Sequence, residues 1–72
     1  MFDKFEFDQA MKFHNEDTLA GFKVWLQHSG YDLKSLAWRM GVQYRDLLMW
    51  YDGNKMLGFI TLEIINKYMD EH

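Results

Sequence analysis

A small all-α domain of four to five helices, built on a helix-turn-helix, is the architecture this sequence predicts. Three observations carry it. Apolar residues recur at helical spacing from Leu19 to Met69, residues suited to cap or stop a helix fall between those stretches, and Ala37 and Gly41 are spaced for a tight crossing of two short helices. At 72 residues the chain has room for one domain, with a core small enough that a partner or a second copy would add useful support.

The first fourteen residues are the hardest to place. Phe5/Phe7 and Met11/Phe13 alternate on either side of Asp8-Gln9, which suits a short hairpin as readily as a helix, and an N-terminal arm or hairpin over 1–14 is the expectation. The helix-turn-helix domain then occupies 15–72. Asn15 is placed to cap its first helix, with Glu16 and Asp17 at the positive end of the helix dipole and Leu19, Phe22, Trp25 and Leu26 as the apolar stripe. Ser29-Gly30 ends that helix. Asp32 caps the next one, where Leu33, Leu36, Ala37 and Met40 face inward up to Gly41-Val42. Gln43 opens a third, in which Leu47, Trp50 and Tyr51 share a side, and Gly53-Asn54 stops it. After a loop, the last helix begins between Gly58 and Thr61 and turns Leu62, Ile65 and Met69 to one side, with Ile64 and Tyr68 beside them.

Charge and composition narrow the function classes. Acidic residues outnumber basic ones by 11 to 8, so generic affinity for phosphate backbones should be weak unless a local basic face exists. Without cysteine, disulfides and thiolate metal sites are excluded. The apolar runs are short and the N-terminus lacks a basic-then-apolar order, so neither a signal peptide nor a membrane span is expected, and a cytoplasmic location in a bacterial host is the default.

The stretch from Leu36 to Trp50 is the most informative. Ala37 is small enough for close helix crossing, Gly41 can take positive φ in the turn, and Val42, Leu47 and Trp50 fill the space beneath. From about Asp32 to Met69 the pattern Leu36-Ala37, Met40-Gly41-Val42, Leu47, Trp50, Gly53, Leu62, Ile65 and Met69 resembles the phage repressor/Cro helix-turn-helix family. In that family the second helix of the motif lies in the major groove and reads base edges. The resemblance therefore makes Gln43, Tyr44 and Arg45 candidate base contacts and Lys34 and Lys55 candidate phosphate contacts, in a Cro-like repressor that binds operator DNA as a dimer.

Two departures point elsewhere. Leu48 and Met49 offer a base only apolar contact, and Leu33 stands where the family commonly has a phosphate-binding glutamine. Trp38 also falls at a normally exposed site of its helix. Leu33, Trp38, Tyr44, Arg45, Leu48 and Met49 thus form a candidate protein-binding patch, unless Trp38 folds back on the N-terminal segment and Leu33 belongs partly to the core. An acidic balance with an apolar outward helix is similar to the small antirepressors, or modulator-of-repression proteins, of temperate phages. That resemblance implies a partner, the DNA-binding domain of the phage repressor, and a role in the lysis/lysogeny switch. Arg45 serves either reading, since a guanidinium can grip a guanine or a carboxylate in two-point fashion.

Nothing in the pattern suggests catalysis, a cofactor or a small-molecule substrate. His14, His28 and His72 are scattered, Ser29 and Ser35 lack a glycine elbow, Asp32 reads as a helix cap, and Asp52-Gly53-Asn54 reads as a helix stop.

Overall fold

The computed structural model describes residues 4–72, and it is all-helical: α1 (Lys4–Ser29), α2 (Leu33–Met40), α3 (Tyr44–Tyr51) and α4 (Phe59–Glu71). The expected helix-turn-helix is α2, the turn 41–43, and α3. α4 starts inside the expected window.

The N-terminal expectation requires correction. Residues 4–14 are neither arm nor hairpin; they run without a break into α1, while residues 1–3 of that segment lie outside the described residues. A two-residue hairpin loop at Asp8-Gln9 would need either positive φ at both positions, which glutamine adopts poorly, or a glycine at the first, where aspartate stands. Among the described residues only glycines have positive φ. Glu6, Gln9, Ala10, Met11 and Lys12 are strong helix formers, and Asp8 precedes Lys12 by four residues, the favourable order for an ion pair along a helix. The aromatic alternation is therefore outweighed by backbone preference. At about 1.5 Å per residue the 26 residues of α1 extend about 39 Å, which accounts for most of the molecule's 43 Å long dimension. Lys4 and Glu6 through Ala10 are exposed; burial begins at Met11 and continues through Asn15, Thr18 and Phe22 at the helical period.

Asn15 is corrected with it. As an interior residue of α1 it caps nothing on its own helix, and its amide instead grips the loop before α4. Its Nδ2 donates to Leu57 O (3.1 Å) and to Met11 O (2.8 Å), while Leu57 N–H donates to its Oδ1 (2.7 Å). Asn15 is 4% exposed, so these bonds satisfy a backbone that water hardly reaches.

The short helices close as their sequences imply. Asp32 Oδ1 accepts from Ser35 N–H at 2.7 Å, and that backbone donor, helped by the Ser35 side chain, holds the Asp32 carboxyl below its ordinary pKa. At the other end of α2, Gly41 takes φ 73°, Gly41 N–H donates to Trp38 O (3.3 Å) and Val42 N–H to Ala37 O (2.9 Å). This paired closure, a Schellman motif, turns the chain sharply while satisfying carbonyls at the helix end. α3 repeats it: Gly53 takes φ 82°, Gly53 N–H donates to Trp50 O (3.0 Å) and Asn54 N–H to Met49 O (2.9 Å).

One core joins the four helices. Phe22 of α1, Leu36 and Ala37 of α2, Leu47 and Trp50 of α3, Leu57 of the loop, and Leu62 and Ile65 of α4 are all buried. Phe22 and Trp50 meet at 5.5 Å between ring centroids, and Trp25 meets Tyr68 edge-on at 5.9 Å. α4 lies along α1, where Asn66 Nδ2 donates to Thr18 Oγ1 at 3.3 Å; α2 packs on α3 and touches α4. Burying the inner faces of α2 and α3 leaves their other faces to solvent.

Candidate functional site

The inner residues of the short helices determine what faces out. On α3, Leu47 and Trp50 are buried, so a period of 3.6 residues turns Tyr44, Arg45, Leu48 and Met49 outward. All four are exposed, the three uncharged ones at 36–42%. On α2, Leu36 and Ala37 are buried, and Lys34, Trp38 and Arg39 face solvent.

Trp38 is the most exposed large apolar residue of the described chain, at 86%. It does not fold back onto α1. Lys34, Trp38 and Arg39, with Asp32 and Ser35, line one shallow groove on the surface of α2. Leu33 behaves differently: it is half-buried against the core, so only part of it adds to the patch.

The polar candidates separate into two places. Gln43 is exposed at the N-cap of α3 with no side-chain capping bond, so its amide is free to meet a partner. Lys34 and Arg45 are exposed, the one on α2 and the other on α3. Lys55 is elsewhere: its Nζ lies 2.6 Å from Asp46 Oδ1, and it lines a pocket of about 250 Å³ between α1 and the loop after α3. This ion pair neutralises the first-turn acid of α3 and withdraws Lys55 from the α2–α3 face.

The stretch from α2 into the start of α3 differs in charge from the rest of the chain. From Leu33 to Arg45 there are three basic residues, Lys34, Arg39 and Arg45, and no acidic one, so the stretch carries +3 while the remainder of the chain carries −6. Of the acids at its two boundaries, Asp32 is bonded to Ser35 N–H and Asp46 to Lys55. Among the described residues no carboxylate lies within ion-pair distance of Lys34, Arg39 or Arg45. Arg39 is held by another contact, its guanidinium 5.0 Å from the centre of the Tyr31 ring.

A second exposed apolar row was not anticipated from the sequence. Met56, Phe59, Ile60 and Ile64 are 39–74% exposed at the start of α4, and Phe59 lies against the ring of His14 at 5.6 Å. The signal for it is the presence of apolar residues on both sides of α4, where helical periodicity assigns only one side to the core. Among the described residues no three His, Cys, Asp or Glu side chains gather as a metal ion would require, and no helix is long and apolar enough to cross a membrane.

No family model, curated protein or solved structure matches the chain.

Proposed function

We propose that this protein is a phage-type transcriptional regulator acting as an antirepressor: the outer face of α2 and α3 docks on the DNA-binding domain of a repressor and thereby modulates the lysis/lysogeny switch. The observation that carries this reading is Trp38, 86% exposed, together with the exposed Leu48 and Met49 of the helix that a DNA reader would line with polar groups. Aromatic and Met side chains of this kind typically anchor protein interfaces.

The experiment is binding of the purified protein to operator DNA with and without the cognate repressor, across a salt series. An antirepressor binds the repressor directly and shows no operator affinity of its own. Replacing Leu48 and Met49 together by Ser is expected to abolish repressor binding while the helical circular dichroism is kept.

A Cro-like operator-binding dimer is the second reading, and the local charge of +3 between Leu33 and Arg45 is the observation that favours it. It predicts specific operator binding by the protein alone, falling steeply with salt. Arg45→Ala would then weaken binding by about 1–3 kcal/mol, the value of a two-point guanine contact.

A further inference from the structure

We infer that two copies of this chain pair about a two-fold axis near Met11, so that the N-terminal overhang of each α1 crosses the start of the other's α4. None of the residues involved belongs to α2 or α3, so the inference stands apart from the antirepressor reading.

The fold leaves a step at this end of the molecule. His14 lies against Phe59, Thr18 is bonded to Asn66 and Trp25 meets Tyr68, so α4 runs in the same direction as α1 and begins beside residue 14. Residues 4–13 therefore carry α1 about 15 Å past the start of α4. Of these, Lys4 and Glu6 through Ala10 are exposed. Phe7 sits one turn before Met11 and two before His14, on the side of α1 that packs on the core further along. Helical side chains lean toward the N-terminus of their own helix, so the first turn of α4 leans toward this overhang. A step of this shape fits a copy of itself turned through 180°, each overhang filling the notch beside the other.

Area and charge both point to a second copy as the occupant. Phe7, Met56, Phe59, Ile60 and Ile64 are 39–74% exposed. With about 150–250 Å² for a whole large side chain, those fractions leave about 500 Å² of apolar surface around the step. A standard interface covers about 800 Å² per partner, about 65% of it apolar in homodimers, so the patch has the extent a stable pair requires. The overhang carries two charges of each sign, Lys4 and Lys12 against Glu6 and Asp8, so two overhangs do not repel as a whole. α4 starts at Gly58 with no side-chain cap and no acid in its first turn, so nothing within that helix offsets the positive end of its dipole. An axis near Met11 sets position 8 of one copy opposite position 14 of the other, where His14 lies against the first residue of α4. Asp8 is two turns before Asn15, the residue that grips the α4 loop, and so faces the side on which the second copy's α4 begins. Its carboxylate supplies the missing charge.

Sedimentation equilibrium over a concentration series is expected to show the 8.8 kDa chain giving way to a species of twice that mass. Ile60→Glu puts a charge into the contact yet adds an acid to the first turn of its own helix, so circular dichroism should show it folded. It is expected to weaken pairing at least about tenfold. Phe13→Glu is the control, since Phe13 is 71% exposed on the side of α1 away from α4, and it should pair like the parent. Asp8→Asn should weaken pairing less, and the difference from the parent should shrink as salt rises. The chain has no cysteine, so spin labels can be placed singly. Labels at Gln9→Cys should lie within about 25 Å of one another across the pair, and those at His28→Cys more than about 40 Å apart. A monomer at every concentration up to about 1 mM overturns the inference, and if added repressor then shields Ile60, the occupant is the repressor. Pairing that survives Ile60→Glu also overturns it, because the contact then lies elsewhere. So do His28 labels that lie close together, because the two α1 helices then run parallel.

Discussion

α1 and the α2–α3 pair keep their helices by different means. α1 runs 26 residues with Lys4 and Glu6 through Ala10 exposed and a glycine at position 21, and it stays continuous because length supplies hydrogen bonds faster than such features remove them. α2 and α3 have eight residues each, too few to persist alone. They depend on a buried inner face and on closures at their ends. The same residue type therefore has opposite value in the two regions: Gly21 weakens the helix it sits in, whereas Gly41 makes the end of α2 possible.

The largest effect should come where the long helix is tied to the other elements. Asn15→Ala removes both partners of the buried Leu57 peptide groups, and each group left unpaired costs about 1–3 kcal/mol. Urea denaturation of this variant should show a midpoint well below the parent's; an unchanged midpoint would mean that the loop does not depend on α1. Next in size are the two glycines. Gly41→Ala forces a Cβ into the left-handed region and should cost about 1–2 kcal/mol, although no neighbouring atom obstructs the new methyl. Gly21→Ala, in ordinary helical backbone with open space around it, should instead raise stability by about 0.5–1 kcal/mol. Equal shifts for the two would remove the distinction drawn between the regions.

The smallest effect concerns pH. The Asp32 carboxyl titrates below its ordinary range because the Ser35 backbone N–H bonds to its charged form. The sign follows: its contribution is complete above the unfolded-state pKa and is lost as pH falls through the lowered folded-state value. Asp32→Asn keeps a capping oxygen without the titration, so its melting temperature should fall less on acidification than the parent's.

Local chemistry makes α2, the turn and α3 legible in the amino-acid order alone. Asp32, Gly41 and Gly53 act on backbone groups within five residues of themselves, so their roles follow from short spacing. The inward sets Leu36/Ala37, Leu47/Trp50 and Leu62/Ile65 follow from the helical period in the same way. Residues 4–14 are harder because alternating aromatics imitate a strand, and only backbone preference, summed over the segment, decides for helix. Asn15 misleads for a related reason: an asparagine ahead of acidic residues has the local form of a cap, whereas its partner, Leu57, lies 42 positions away.

The sequence by itself determined the helical class, the ends of the short helices and the helical residues at the centre of the core, though not Leu57 of the loop, because these depend on dihedral preference and periodicity over a few neighbouring residues. Tertiary structure decided the rest. It turned Asn15 onto the α4 loop, drew Lys55 away to Asp46, and left Trp38 uncovered beside Lys34 and Arg39. Each of those outcomes depends on which distant surfaces meet, and pairings over such distances are set by the packing of the whole core.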